Sequence, residues 1–358
     1  MDLEHVELVH VRLPLVRPFA SARGTIASKD ALLVHIRDQD GAEGWGECAA
    51  EIAPTYAGEF LDAAWLSLVD HLVPRVRAGQ TMASIRGNHM AKAALEMADL
   101  DRLGRRSGRS LAHLLGGRPG IALAVGVVVE MDNDVAVVAE RAATYVAAGY
   151  RRVKVKIQPS RDRDVIDAVR SAVGPKVALW ADANGSYRPA DAMLLADLDL
   201  DLLEQPFAAG DLVDHAAFIV RSPQVHVSLD ESIASIHDAR AALALHAARS
   251  LALKPGRVGG LGAAVEIHAA CRAAHLPVWC GGMLETGIGR AANLALASLP
   301  GFTLPGDISA SARYFENDLT SPFVLASDGT LNVPDGAGLG VDVDVERLRS
   351  HAMRSTVV

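Results

Sequence analysis

RRVKVKI, residues 151–157, places Lys154 and Lys156 two apart inside an otherwise apolar, β-branched run. In a strand, residues i and i+2 point to the same face. Two cations would therefore share a surface that the pattern asks to be buried. A solvated strand face is one explanation, and the mouth of a parallel barrel is another. The flanking rhythm favours the second. Short β-rich runs recur as AVGVVVE (124–130), VALWADA (177–183), DLLEQP (201–206), HVSLDE (226–231), SLALKP (250–255), PVWCGG (277–282) and FTLPGD (302–307). Ala- and Leu-rich helical stretches such as VAVVAERAATYVAAG and AAVEIHAACRAAH lie between them. Strand starts are about 20–27 residues apart. Eight such units fit a closed parallel barrel better than an open doubly wound sheet.

Barrel enzymes carry their chemistry at the C-terminal strand ends. Here those ends hold Lys154 and Lys156, then Asp182, Glu204, Asp230 with Glu231, and Lys254. Asp182 to Glu204 is 22 residues and Glu204 to Asp230 is 26, one strand–helix unit each. Three carboxylates from adjacent strands would converge, and such hard oxygen donors suit Mg²⁺, with Mn²⁺ or another divalent ion as a substitute. A divalent metal of this kind stabilises the enediolate formed when a carboxylate loses its α-proton. A lysine base must have its pKa lowered, and a second ammonium two residues away acts in that direction. Asp182 and Asp230 could instead cap helices, since DAN and DES precede helical patterns. Glu204 could simply precede the turn at Pro206, although its Leu-Leu neighbours make an unpartnered carboxylate costly.

Before residue 122 the pattern differs. Residues 3–14 alternate loosely, and ALLVHIRD-QDG-AEGWGEC reads as a hairpin with Asp40-Gly41 near its tip. The polar segment RPFASARGTIASKD (17–30) reads as a loop, followed by helices over 57–78 and 91–108. Gly116-Gly117 with Pro119 marks a boundary. The expected units are a capping domain over 1–121, a barrel over 122–309, and a turn-rich tail over 310–358 that packs back on the cap.

The chain has 358 residues, half of them hydrophobic, and a formal net charge of −8. That charge gives no support for a nucleic-acid or anionic-membrane partner. Cys48, Cys271 and Cys280 are far apart and form no CxxC, so a reduced, cytoplasmic chain is expected. No signal peptide and no apolar run of about 18 residues is read. GGMLETGIG lacks the form of a phosphate loop, and the histidines show no HExxH. Oligomeric state stays open, a homo-oligomer included.

KVK at 154–156, DAN at 182–184, EQP at 204–206, LDES at 229–232, LKPGRVGG at 253–260 and CGGMLETGIGRAAN at 280–293 resemble the enolase superfamily, in its muconate-lactonizing-type branch. Within that branch the chain is most similar to the o-succinylbenzoate synthase/N-succinylamino acid racemase group. ARGTIASKD, GWGEC and AALEMADLD resemble its capping domain. The resemblance implies a modified (β/α)₇β TIM barrel with an α+β cap, acting on a small-molecule carboxylate. It implies Asp182, Glu204 and Asp230 as Mg²⁺ ligands, and Lys156 and Lys254 as the facing acid/base pair. Lys154 would lie near the substrate carboxylate, with Asn184 at the same site and Glu231 behind the ligands. Tyr56 and the loop at 19–29 would close over the distal part of the substrate, and Gly281, Gly282 and Met283 would line the pocket for a succinyl group.

The implied reactions are dehydration of the cyclohexadiene carboxylate SHCHC to o-succinylbenzoate, for menaquinone synthesis, or racemisation of N-succinylamino acids. A dipeptide epimerase would carry a DxD at the eighth strand, where this chain has only Asp307. A barrel that binds without catalysis would have lost one of the ligands or lysines, and all are present.

Overall fold

The computed structural model describes residues 3–21 and 24–358. Its N-terminal part is an antiparallel sheet of β1 (Leu3–Ser21), β2 (Gly24–Asp38) and β3 (Glu43–Cys48). The segment expected to be a loop at 17–30 is instead the far end of the β1–β2 hairpin, with Phe19 opposite Ile26 and Ala20 opposite Thr25. The register slips between Pro14 and Phe19, where Pro18 can donate no ladder hydrogen bond. Ala22 and Arg23 lie outside the described residues.

Alternation along the strands gives each face of this sheet an apolar stretch. Val6, Leu8, Leu32, Val34 and Ile36 pack with the helix His89–Ser107, while Val9, Val11, Leu13 and Leu33 join the main core. The glycines of GWGEC explain how close that helix comes. A Cβ at Gly46 would lie 1.9 Å from the Ala94 carbonyl oxygen, and one at Gly44 would lie 2.1 Å from that of Ala98.

After β4 (Ala122–Ala124), seven parallel strands follow in sequence order: β5 (Val127–Val129), β6 (Arg152–Lys156), β7 (Ala178–Asp182), β8 (Leu202–Glu204), β9 (Val227–Leu229), β10 (Ser250–Leu253) and β11 (Val278–Cys280). The expected eighth strand, 302–307, is not a ladder strand. It still closes the ring, because Gly126 N donates to Gly306 O at 2.8 Å and Asp307 N donates to Cys280 O at 2.8 Å. Pro305 lacks an N–H, which limits this segment to isolated bridges such as Val125 to Gly306 and Val278 to Phe302. The result is a modified TIM barrel.

The tail contributes β12 (Thr330–Asn332), paired with β4, and β13 (Ala352–Val357), paired antiparallel with β1. Among the described residues no helix is long and apolar enough to cross a membrane.

Candidate active site

Register assembles the site. Lys156 on β6 pairs with Asp182 on β7, and Asp182 pairs with Glu204 on β8, so three charged side chains share one row at the strand ends. Asp230 follows β9 and Lys254 follows β10. All five are buried, together with Lys154. Neither Asp182 nor Asp230 caps a helix. The helix after Asp230 begins at Ile236 and is capped by Ser235, whose hydroxyl accepts from Asp238 N.

Lys156 Nζ donates to Asp182 Oδ2 at 2.6 Å and to Asn184 Oδ1 at 3.0 Å. Asn184 in turn donates to Glu231 Oε1 at 2.9 Å. Lys154 Nζ donates to Glu204 Oε2 at 2.5 Å and to Asp307, and it lies 3.6 Å from Asp182 Oδ2. Across the mouth, Lys254 Nζ donates to Asp230 Oδ2 at 2.8 Å and to the Tyr56 hydroxyl at 3.2 Å. Gly281 makes room for that lysine, since a Cβ there would meet Lys254 Cε at 2.5 Å. Tyr56 thus stands over the Lys254 corner rather than over the distal part of the cavity. The cavity, of about 290 Å³, runs from Lys154, Lys156 and Lys254 to the hairpin end at Phe19 and Ile26, and past Gly282 and Met283.

Four participants were not singled out for this site from the sequence. Arg257 holds the other oxygen of Asp230 and donates to Tyr56 Oη at 3.0 Å and to Ile233 O at 2.7 Å. Its signal was the Arg of LKPGRVGG. Gln205, of EQP, fixes the turn after β9. Its amide oxygen accepts from Asp230 N at 2.9 Å, and its amide nitrogen donates to Ser232 Oγ at 2.7 Å. Arg152 and Asp307 form a buried pair at 2.5 Å, with the Arg152 guanidinium 4.3 Å above the Trp180 ring. Arg152 was marked in the sequence only as a charge beside an apolar run, and Asp307 only as the lone Asp of the eighth strand.

The electrostatics follow from burial and partners. Burial and the neighbouring Asp182 raise Glu204 to about 8. Burial would raise Asp230 as well, but Arg257 and Lys254 hold it well below the usual carboxylate range. Asp307 is held low against its burial by Lys154 and Arg152. Burial acts to lower Lys154 and Lys254, yet the carboxylates outweigh it: Asp307 and Glu204 raise Lys154, and Asp230 raises Lys254. Both lysines are thus held as ammonium groups by the carboxylates they touch.

Known proteins resemble the chain over both of its parts. Residues 4–116 match the family described as mandelate racemase / muconate lactonizing enzyme, N-terminal domain, and residues 137–348 match the one described as enolase C-terminal domain-like. This chain belongs to the enolase superfamily. It is 45% identical to an o-succinylbenzoate synthase from Geobacillus stearothermophilus, covering 98% of this chain and 97% of the relative. It is 44% identical to an N-succinylamino acid racemase from an Amycolatopsis species, covering 95% of each. A solved enolase-superfamily structure from Listeria innocua superposes with a TM-score of 0.93 at 37% identity, covering 100% of this chain and 99% of that one. Within the superfamily, these likenesses place the chain in the o-succinylbenzoate synthase/N-succinylamino acid racemase group.

Proposed function

We propose that the protein is an o-succinylbenzoate synthase that uses a divalent metal, Mg²⁺ by preference. The observation that carries this reading is the pair of buried lysines, Lys156 and Lys254, facing each other across a mouth lined by three buried carboxylates. The donor set fits a hard dication. Glu204 Oε1 is buried and has no hydrogen-bond partner among the described residues, and the raised affinity of Glu204 for a proton marks a carboxylate short of positive charge. Asp182, Glu204 and Asp230 would hold the ion, while Asn184 and Glu231 orient Asp182 and Lys156 from behind. Bound there, the metal would supply positive charge against the dianion that develops on the substrate carboxylate.

The chain's own residues supply the rest. Lys156 would take the α-proton of SHCHC, and Asn184 would hold its Nζ in line once the Asp182 contact is shared. Expulsion of the β-hydroxyl as water, with the proton that Lys156 has taken up, then yields the aromatic product and returns Lys156 to its starting state. Lys254 would remain an ammonium, fixed by Asp230 and Tyr56, and stabilise negative charge on the opposite face. Lys154, held between Glu204 and Asp307, would keep one cation at the carboxylate end of the cavity.

A specific observation also supports N-succinylamino acid racemisation. Lys254 carries an ammonium on the face opposite Lys156, so the two can exchange roles across an α-carbon. Dipeptide epimerisation has less support, because both oxygens of Asp307 are engaged by Arg152 and Lys154. The test is a side-by-side rate comparison with SHCHC and a panel of N-succinylamino acids. Mg²⁺-dependent turnover of SHCHC is the expected result. Turnover of neither class would overturn the proposal.

A further inference from the structure

A second polar cluster lies on the capping sheet, far in sequence from the strand ends that form the barrel mouth. His5 and Glu7 sit two apart on β1 and so share a face. Glu7 is directly opposite His35 on β2, and His35 is directly opposite Trp45 on β3. One ligand atom from each of His5, Glu7 and His35 lies within 4.8 Å of the other two. Among the described residues, no other three His, Cys, Asp or Glu side chains are gathered this tightly. They open into a cleft of about 600 Å³ between the sheet and the C-terminal segment that carries Asp342, Val345 and Arg349.

Three features suit this cluster to a ligand. First, His35 Nε2 is shielded from solvent and has no hydrogen-bond partner among the described residues. The nearby Glu43 Oε2 is 3.5 Å away, too far for a good hydrogen bond. Second, the ring is fixed. It stacks on Trp45 with centroids 4.2 Å apart and planes 14° from parallel, and the His5 ring approaches it edge-on at 5.9 Å. Third, the carboxylate is oriented. Arg349 donates to Glu7 Oε1 at 2.6 Å and to Oε2 at 2.7 Å. Each oxygen keeps a second lone pair, and an outer partner of this kind commonly fixes a ligating carboxylate.

We propose that His5, Glu7 and His35 form a binding site for a transition-metal dication of the Zn²⁺ type, with Glu43 or water as the fourth donor. Two imidazoles and a carboxylate around one open position match the ligand types and number that Zn²⁺ takes, at about 2.0–2.2 Å per bond. The same nitrogen donors disfavour Mg²⁺, so this site and the all-oxygen site at the barrel mouth select different ions. Arg349 opposes a cation, and Glu43, with its side chain 48% exposed, can move in to offset it. The other guanidinium groups of the cleft are already engaged, Arg37 by Glu4 at 3.4 Å and Arg105 by Asp101 at 3.1 Å. Burial lowers the pKa of His35, which keeps the ring neutral as a ligand must be. A bound ion would clamp β1 to β2 and, through Arg349, to the helix Val345–Ser350.

The test is equilibrium dialysis of the tag-free, full-length protein against Zn²⁺ in a large excess of Mg²⁺. Wild type and the His5→Ala and His35→Ala variants are compared, and Co²⁺ is used as a spectroscopic probe. The expected result is one Zn²⁺ per chain and a tetrahedral Co²⁺ absorption band. Either variant should bind about a hundredfold more weakly, as loss of a ligand should cost at least as much as loss of an outer partner. Turnover should be unchanged in both variants. Failure of wild type to retain Zn²⁺, or retention that neither variant weakens, would overturn the site. His5→Ala decides alone if loss of the stacked His35 prevents folding.

Discussion

Lys156 and Lys254 stand on opposite sides of the barrel mouth, with β7, β8 and β9 between their strands, and each donates to one carboxylate. Their surroundings differ. The Lys156 corner is built wholly from the barrel, with Asp182, Asn184 and the neighbouring Lys154. The Lys254 corner has a second cation, Arg257, on the same aspartate, and it is covered by Tyr56 from the capping region. Asp230 holds Lys254 as an ammonium, against both its burial and the neighbouring Arg257. Lys156 is held by one aspartate, Asp182, and one neutral amide, Asn184, with no arginine on either among the described residues. This asymmetry suits dehydration, which needs one base, and two-sided proton transfer has to overcome it.

The contrast can be broken most severely at the base. Lys156→Ala should lower turnover of both SHCHC and N-succinylamino acids by about 10³-fold or more, as removal of a general base does. Near-normal steady-state rates would remove the assignment. Next in size is Arg152→Met, which leaves Asp307 with Lys154 alone. A loss of about 3 kcal/mol in denaturant-unfolding stability is expected, as for a broken buried pair, and an unchanged midpoint would show that the pair carries no stability. Gly281→Ala forces Lys254 from its path and should cut racemisation by about tenfold or more, taking about 1.4 kcal/mol as a modest cost of displacement. If racemisation proved as fast as in wild type, Lys254 would not need the position it has. The smallest effect belongs to Tyr56→Phe. It removes one hydroxyl from the Lys254 corner, so turnover should fall by up to about tenfold, with racemisation affected more than dehydration. An equal fall in both would erase the distinction between the corners.

The barrel was legible because the strands are short, β-rich and regularly spaced, and because charge at their ends is costly unless it is used. Lys154, Lys156, Asp182, Glu204, Asp230 and Lys254 were visible for that reason. The long β1–β2 hairpin was hidden because its end is rich in polar and small residues, and strand pairing there depends on a partner rather than on alternation. The eighth strand was overread, since Pro305 permits contact but not a ladder. Arg257 and Arg152 escaped attention because a lone arginine reads as surface, and only the fold shows that each is buried against an aspartate. Tyr56 was visible, but its corner was not, because the cap–barrel contact that places it is made by residues 198 positions apart.

Hydrogen exchange at the α-carbon in D₂O, followed for each enantiomer of an N-succinylamino acid, tests the two-corner arrangement most directly. Lys254→Ala should still exchange the α-proton of one enantiomer while failing to racemise it, and Lys156→Ala should lose exchange of that same enantiomer. Loss of exchange from both enantiomers in Lys254→Ala, or retained exchange of that same enantiomer in Lys156→Ala, would contradict the placement of one base on each side of the substrate.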